Sequence, residues 1–268
     1  SVSLTYHSKQ DRLRCHYCGY AKPGRTRCQH CGSEELDRHG IGTQKIEEQI
    51  SELFPDAELL RMDQDTTQQR DAHERLLGLF DRKEADILLG TQLVAKGLDF
   101  PDVTVVGVIN ADTELAYPSF QSGERMFQLL SQVAGRSGRA QKPGVVYFQT
   151  WQPEHPAIQC AKYHNYYSFA EREMQFRQSL DYPPYSRLIK FMFKSKDPQK
   201  AAEVARAFTK VLKNTAQYFP VLGPTPAAIY RMQRFFRWEA MVKLPTTTNE
   251  KQVEKLLDAT FSQYEEVK

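Results

Sequence analysis

Two arginines stand three apart in the run Gln132-Val-Ala-Gly135-Arg136-Ser-Gly-Arg139, at the end of the apolar-periodic stretch Arg125–Val133. At a helix end this spacing puts both guanidinium groups on one face, within reach of one anionic target. A guanidinium stays charged and matches phosphate oxygens in a bidentate way. Arginines supplied to a nucleotide stabilise the charge that develops on a transferring γ-phosphoryl group. Gly135 lets the backbone approach such a target or ends the helix. With Gln132 it is the candidate for nucleotide contact beside the two fingers, Arg136 and Arg139. The same residues also suit a solvated, salt-bridged helix end.

Upstream, Thr91-Gln92-Leu-Val-Ala-Lys96-Gly97-Leu-Asp99-Phe100 follows the apolar run Asp86–Leu89, which is short enough for a buried parallel strand. Thr91 and Gln92 offer a hydroxyl and an amide to a nucleic-acid backbone phosphate, and Lys96 extends that basic, polar set. Gly97 permits a sharp turn. Asp99 is placed to accept a hydrogen bond from a ribose hydroxyl. A second apolar strand, Val103–Ile109, comes directly afterwards.

The cysteines form a second constellation. Cys15-His-Tyr-Cys18-Gly19 and Cys28-Gln-His-Cys31-Gly32 are paired C-x-x-C-G knuckles, while Cys160 stands apart. Glycine after the second cysteine allows the tight turn that points both sulfurs at one metal. Paired soft thiolates select zinc in a closed tetrahedral site. A disulfide or a redox pair fits a cytosolic chain less well. Read from the residues alone, both knuckles can share one four-cysteine ion. His16 and His30 are replacement ligands or plain surface histidines.

A third constellation lies near the C-terminus. Tyr230-Arg231-Met-Gln-Arg234-Phe235-Phe236-Arg237-Trp238 interleaves arginines with aromatics. Arginine contacts phosphate and aromatic faces stack on bases, at roughly 1–3 kcal/mol per stacked base. The competing reading is a hairpin whose arginines are solvated, with Phe236 and Trp238, two apart, facing the core.

The elements that must position these residues fall into blocks. Residues 1–39 are rich in Cys and His with little apolar periodicity, so metal would replace a core there. Residues 40–158 alternate short apolar runs with helical patterns. Ile46, Ile50 and Leu53 mark one helix face, Leu76, Leu77 and Phe80 another, and Val145–Gln149 a further strand. Alternation of this kind implies an α/β unit, a parallel sheet with helices on both faces and ligand loops at the strand carboxyl ends. Residues 157–180 read as one charged, aromatic helix connecting onward, with Tyr163, Tyr166, Tyr167 and Phe169 as packing residues, and 159–183 as the connector.

Pro183-Pro184 breaks that helix and marks a boundary. Residues 184–268 then give the strand Arg187–Lys194 and a helix striped by Ala201, Val204, Ala205, Phe208, Val211 and Leu212. The strand Trp238–Leu244 and a helix with Val253, Leu256, Leu257 and Phe261 follow. A β-α-β-α order predicts a small split-βαβ, ferredoxin-like α+β domain, with one more edge strand expected after Lys268.

Strand, T-x-x-x-x-K-G-x-D, strand, then helix with Q-x-x-G-R-x-x-R is a combination that resembles the second RecA-like lobe of superfamily-two nucleic-acid helicases. Further stretches in matching order are Gly40-Ile-Gly42-Thr43, Arg61-Met-Asp63-Gln-Asp65-Thr66-Thr67 and Glu124-Arg125-Met-Phe127-Gln128. Tyr182-Pro183-Pro184-Tyr185 and Leu222-Gly223-Pro224-Thr225-Pro226 extend the match. Together they resemble the C-terminal part of the replication-restart helicases. The resemblance implies a 3′-to-5′ DNA helicase, driven by ATP with magnesium, that acts at abandoned forks in primosome assembly. It implies branched and single-stranded DNA, single-strand-binding protein and other primosome proteins as partners. It also implies four knuckles in two interleaved zinc sites, in which Cys15/Cys18 and Cys28/Cys31 serve different ions with partners before Ser1. No G-x-x-x-x-G-K-[ST] or D-E-x-H occurs, so ATP and magnesium would be held together with a first lobe, and this chain alone is expected to be inactive. An RNA helicase lobe and a non-catalytic zinc-dependent DNA or protein adaptor are the alternatives.

Composition bounds the rest. The 268 residues hold 40% hydrophobic content at a net charge of +3, so any nucleic-acid signal must be local. A mean hydropathy of −0.60 leaves no membrane span, and no targeting segment is read, so a cytoplasmic home is expected.

Overall fold

A computed structural model describes residues 5–7, 12–14, 20–24, 27, 32–33, 43–62, 72–90, 100, 102–135 and 144–267. Three short strands open the chain: β1 (Thr5–His7), β2 (Arg12–Arg14) and β3 (Ala21–Pro23), paired antiparallel in that order. Sequence periodicity gave no sign of this small sheet, because three-residue strands are too short to show an alternation.

The α/β part follows. Helix α1 (Thr43–Leu53) leads to β4 (Leu59–Met62), and α2 (Ala72–Asp81) leads to β5 (Ile87–Gly90). Strands β4 and β5 pair in parallel, Leu59 opposite Ile87 and Met62 opposite Gly90. The next parallel pair is β6 (Val105–Val108) with β7 (Val145–Phe148), Val105 opposite Val145. Between them lie the short helix α3 (Thr113–Ala116) and α4 (Ser122–Ala134). Parallel pairing with interleaved helices is the mixed α/β organisation that the alternation predicts. Leu53 departs from the expected helix face and is 73% exposed.

The single helix expected over 157–180 is two. Helix α5 (Pro156–Lys162) ends at Tyr163, and α6 (Tyr166–Ser179) begins after it. His164 takes the left-handed φ of 51°, and the Asn165 side chain accepts from the Ser168 amide, starting a new helix. Ala157, Ile158, Cys160 and Ala161 of α5 pack with Met126, Phe127 and Leu130 of α4 in one core. Phe169 joins it, stacked on Phe127 at 4.2 Å. The other three residues expected to pack, Tyr163, Tyr166 and Tyr167, are exposed: Tyr166 borders the core, its ring 6.3 Å from Phe127 and 5.7 Å from Tyr167, and Tyr163 lies under the Lys162 ammonium at 5.1 Å.

The C-terminal unit runs β8 (Ser186–Ser195), α7 (Pro198–Thr215), β9 (Val221–Met232), β10 (Phe235–Pro245) and α8 (Glu250–Val267). Asp197 caps α7, its side chain accepting from the Gln199 and Lys200 amides, with Pro198 opening the first turn. The sheet order is β8-β10-β9 with both pairings antiparallel, so β10 splits the β8–α7–β9 crossover. Strand β9 was missed from sequence. The helices cover one face, where Phe208, Leu212, Val242, Leu244 and Leu256 form the core against Ile189, Phe191 and Phe193. Among the described residues no helix is long and apolar enough to cross a membrane.

Candidate nucleotide and nucleic-acid site

Helix α4 carries the first constellation. It buries Ser122, Met126, Phe127, Leu130 and Val133, a stripe that fixes its rotation and leaves Gln132 exposed. The Ser122 hydroxyl donates to the Tyr117 carbonyl at 2.5 Å, holding the first turn against α3. At the other end the Gly135 amide donates to the Ser131 carbonyl at 3.1 Å. Gly135 has φ −76°, so it ends the helix in ordinary right-handed backbone and its special conformational freedom is unused there. The helix therefore stops one residue short of Arg136. Arg136 and Arg139 lie outside the described residues.

The strand end before the second candidate segment is defined. Strand β5 finishes at Gly90, directly ahead of Thr91. Thr91, Gln92, Lys96, Gly97 and Asp99 lie outside the described residues, but the return point at Phe100 is placed. Its ring meets Phe80 of α2 edge-on at 4.8 Å, which anchors the far end of the segment to the helix preceding β5. Asp112, a carboxylate just past β6, looks available for chemistry but is engaged. It accepts from the Thr150 hydroxyl at 2.9 Å and the Trp151 amide at 2.8 Å, tying the ends of β6 and β7 together.

Cys15, Cys18, Cys28 and Cys31 also lie outside the described residues. Gly32, which follows Cys31, is described, and its φ of +73° is a left-handed conformation that glycine adopts without steric cost. Cys160 is a free, buried cysteine of the lobe core and takes no part in that group.

The third constellation is the β9–β10 hairpin. Gln233 and Arg234 form its turn, with φ of 49° and 71°. Met232 pairs with Phe235 and Arg231 with Phe236. Paired residues share a face, and the Arg231 guanidinium lies over the Phe236 ring at 5.2 Å. Arg237 points the other way, its terminal nitrogens on the Met192 sulfur at 3.1 Å and the Met232 sulfur at 3.6 Å. The three arginines are thus divided: Arg231 on the helix-side face, Arg234 at the tip, Arg237 on the opposite face. Phe236 and Trp238 do face the helix side, where Arg206 of α7 lies over Trp238 at 5.5 Å. Beyond the tip the register slips, so that Trp238 pairs with Pro226. Residues 227–230 are unpaired across this slip; Ala227 stays buried, while Ile229 and Tyr230 are exposed.

Comparison with known proteins places each region. Residues 178–267 match the primosomal protein N C-terminal domain, and residues 35–141 the helicase conserved C-terminal domain. Residues 1–23 match the PriA DNA helicase Cys-rich region domain. The chain is 43% identical over 264 residues to the replication restart protein PriA of Bacillus subtilis, covering 98% of this chain and 32% of that protein. Against the Synechocystis protein of the same name it is 42% identical over 253 residues, 91% of this chain and 30% of that one. The Treponema pallidum protein is 38% identical over 250 residues, 92% of this chain and 37% of its own length. The chain spans about a third of the length of the curated relatives it matches.

Proposed function

Because the chain belongs to the replication restart protein PriA family, we propose that it is the C-terminal part of an ATP-dependent 3′-to-5′ DNA helicase that restarts replication forks and assembles primosomes. The observation that carries this reading is a pair of hand-overs in one lobe. Strand β5 ends at Gly90 where the Thr91–Asp99 segment starts, and α4 ends at Gly135 where Arg136 starts. In the intact enzyme Arg136 and Arg139 stabilise phosphoryl charge, while Gln132, Gly135, Gly97 and Asp99 line the nucleotide. Thr91, Gln92 and Lys96 meet the DNA backbone. ATP and magnesium are held jointly with a first motor lobe, and this chain alone does not turn ATP over.

The remaining roles follow from the same family reading. Cys15, Cys18, Cys28 and Cys31 hold zinc, for which the left-handed Gly32 beside Cys31 gives support. The domains are 1–39 for zinc, 40–158 for the RecA-like lobe, 159–183 as connector and 184–268 as a ferredoxin-like unit. The β8-β10-β9 order with a split crossover supports the last assignment. Of the three hairpin arginines, Arg231 and Arg234 serve single-stranded DNA or an acidic tail, such as that of a single-strand-binding protein, while Arg237, expected from sequence to join them, is engaged by two methionine sulfurs on the opposite face; the cytoplasm is the site of action. The relatives lend no support to an RNA helicase lobe or a non-catalytic adaptor.

The test uses the full-length protein. DNA, and not RNA, should stimulate its ATP turnover. Arg136→Ala or Arg139→Ala should each lower that turnover roughly a thousandfold, the range of arginine fingers. Wild-type turnover in either variant would make that arginine structural.

A further inference from the structure

A chain of side chains outside the candidate site joins α4 to the C-terminal sheet. Arg177, in the last turn of α6, is 12% exposed. Its guanidinium donates to Glu124 at 2.7 Å, to Glu173 at 2.8 Å and to the Pro183 carbonyl at 3.3 Å. Glu124 sits in the first turn of α4. The guanidinium also lies 5.2 Å from the Phe120 ring centroid. Phe120 in turn stacks on Tyr182 at 4.8 Å, with the planes 7° apart. The Lys243 ammonium stands 4.0 Å from the Tyr182 centroid and donates to the Leu180 carbonyl at 2.5 Å. A stacked ring and an ammonium this close cannot share one face, so Tyr182 is sandwiched between them. Lys243 belongs to β10, the middle strand of the sheet.

We infer that the ladder Glu124–Arg177–Phe120–Tyr182–Lys243 transmits the position of the C-terminal sheet to α4, making Arg177, Tyr182 and Lys243 positioning residues for ATP turnover. The inference rests on the proposed reading of Arg136 and Arg139 as phosphate-contacting residues. A helix rises about 1.5 Å per residue, so Gly135 lies roughly 16 Å along α4 from Glu124. A tilt of about 4° at Glu124 therefore moves Gly135 by about 1 Å. Displacements of that size cost on the order of a hundredfold in turnover when they reach a catalytic group. The rungs are short-range and half- to fully buried, so they hold one geometry or break; they do not stretch. Phosphate contacts made by the C-terminal sheet would thereby bias the helix that ends next to Arg136.

The test is made in the full-length protein with Lys243→Met, which keeps the stem and removes the charge and its donor, and with Arg177→Lys, which keeps a charge. Steady-state ATP turnover with DNA and amide hydrogen exchange along α4 are measured together. Lys243→Met should lower kcat about tenfold or more, leave the KM for ATP within about twofold and speed exchange in the first turns of α4. Arg177→Lys should fall between it and wild type. Tyr182→Leu removes the central rung and gives the same test should Lys243→Met fail to fold. Unchanged kcat with unchanged α4 exchange in a folded variant would overturn the ladder. Arg136→Ala and Arg139→Ala measured alongside separate the two readings. If they abolish turnover while the ladder variants do nothing, only the ladder fails. If they do nothing while Lys243→Met loosens α4, the finger reading fails and the mechanical link stands.

Discussion

Glu239, in the middle strand of the C-terminal sheet, is 6% exposed and takes an ammonium from Lys190 on the neighbouring strand at 2.5 Å. Removing one partner of a buried pair costs about 3–5 kcal/mol, because the other charge stays buried and unpaired. Lys190 is itself 44% exposed, so solvent offsets part of that loss. Lys190→Met is expected to destabilise the chain by about 2 kcal/mol in urea unfolding. Lys190→Met with Glu239→Met should recover most of it, since a matched apolar pair replaces an ion pair at little cost.

Among the described glycines, Gly223 is the one the fold most requires. Its φ is +91°, and an added Cβ would sit 2.9 Å from the Glu239 carbonyl oxygen and 3.2 Å from the Ala240 Cα. Backbone cannot move aside as a flexible side chain can. Gly223→Ala should therefore lose at least about 2 kcal/mol, combining left-handed strain with overpacking. Gly107→Ala is the control, because nothing lies within 4 Å of its added Cβ. Melting temperatures of the two variants should separate by several degrees or more.

His155 gives the lobe a pH dependence of defined sign. Burial holds its pKa below the ordinary 6.5, with Asp112 opposing that shift, and its Nδ1 accepts the Ala157 amide that caps α5. Below pH 6.5 the unfolded chain takes up a proton that the folded one refuses, so stability falls as pH drops through that value towards the folded pKa. Above 6.5 the contribution is fully present. His155→Asn keeps a capping acceptor and cannot titrate. Urea midpoints at about pH 7.5 and pH 5.5 should differ less in that variant than in wild type.

The divided hairpin sharpens the expectation for nucleic acid. Each phosphate contact on a single strand contributes a salt slope of about −0.7. Arg231 and Arg234 lie on the helix-side face and the tip, so Arg231→Ala with Arg234→Ala should flatten the slope by about 1.4. Arg237→Ala, whose guanidinium is held by two methionine sulfurs, should leave it nearly unaltered. An equal effect from Arg237 would mean that both faces of the hairpin touch the strand.

Much of this architecture is legible because it obeys simple periods. Ile189, Phe191 and Phe193 alternate in β8, whose expected range 187–194 lies one residue inside the observed strand at each end, and the stripe of Ala201, Ala205, Phe208 and Leu212 falls within α7. Strand β9 was hidden because Leu222-Gly-Pro-Thr-Pro reads as punctuation. Its strand character comes from pairing with β10, and edge position tolerates the prolines. The break between α5 and α6 has no Gly or Pro to announce it, only His164 and the Asn165 cap. In the candidate site, residue types pointed to phosphate chemistry, whereas the Arg177 and Tyr182 rungs had no local signal. Their partners lie 53 residues away at Glu124 and, for Tyr182, at Phe120 in the turn before α4 and at Lys243 in β10.

The prolines of β9 also bear on how this molecule behaves in a crowd. An open sheet edge invites a foreign strand, because its outward amides and carbonyls form a template for further pairing. Pro226 pairs with Trp238, and a proline fits a ladder only where its nitrogen faces away from the neighbour. Pro224 lies in the register slip between Thr225 and Leu222, where the ladder is interrupted. The outward nitrogen of Pro226 consequently carries no hydrogen to offer, and the register slips on either side of it remove a flat stretch. The described part of this rim is thereby a poor template for a foreign strand.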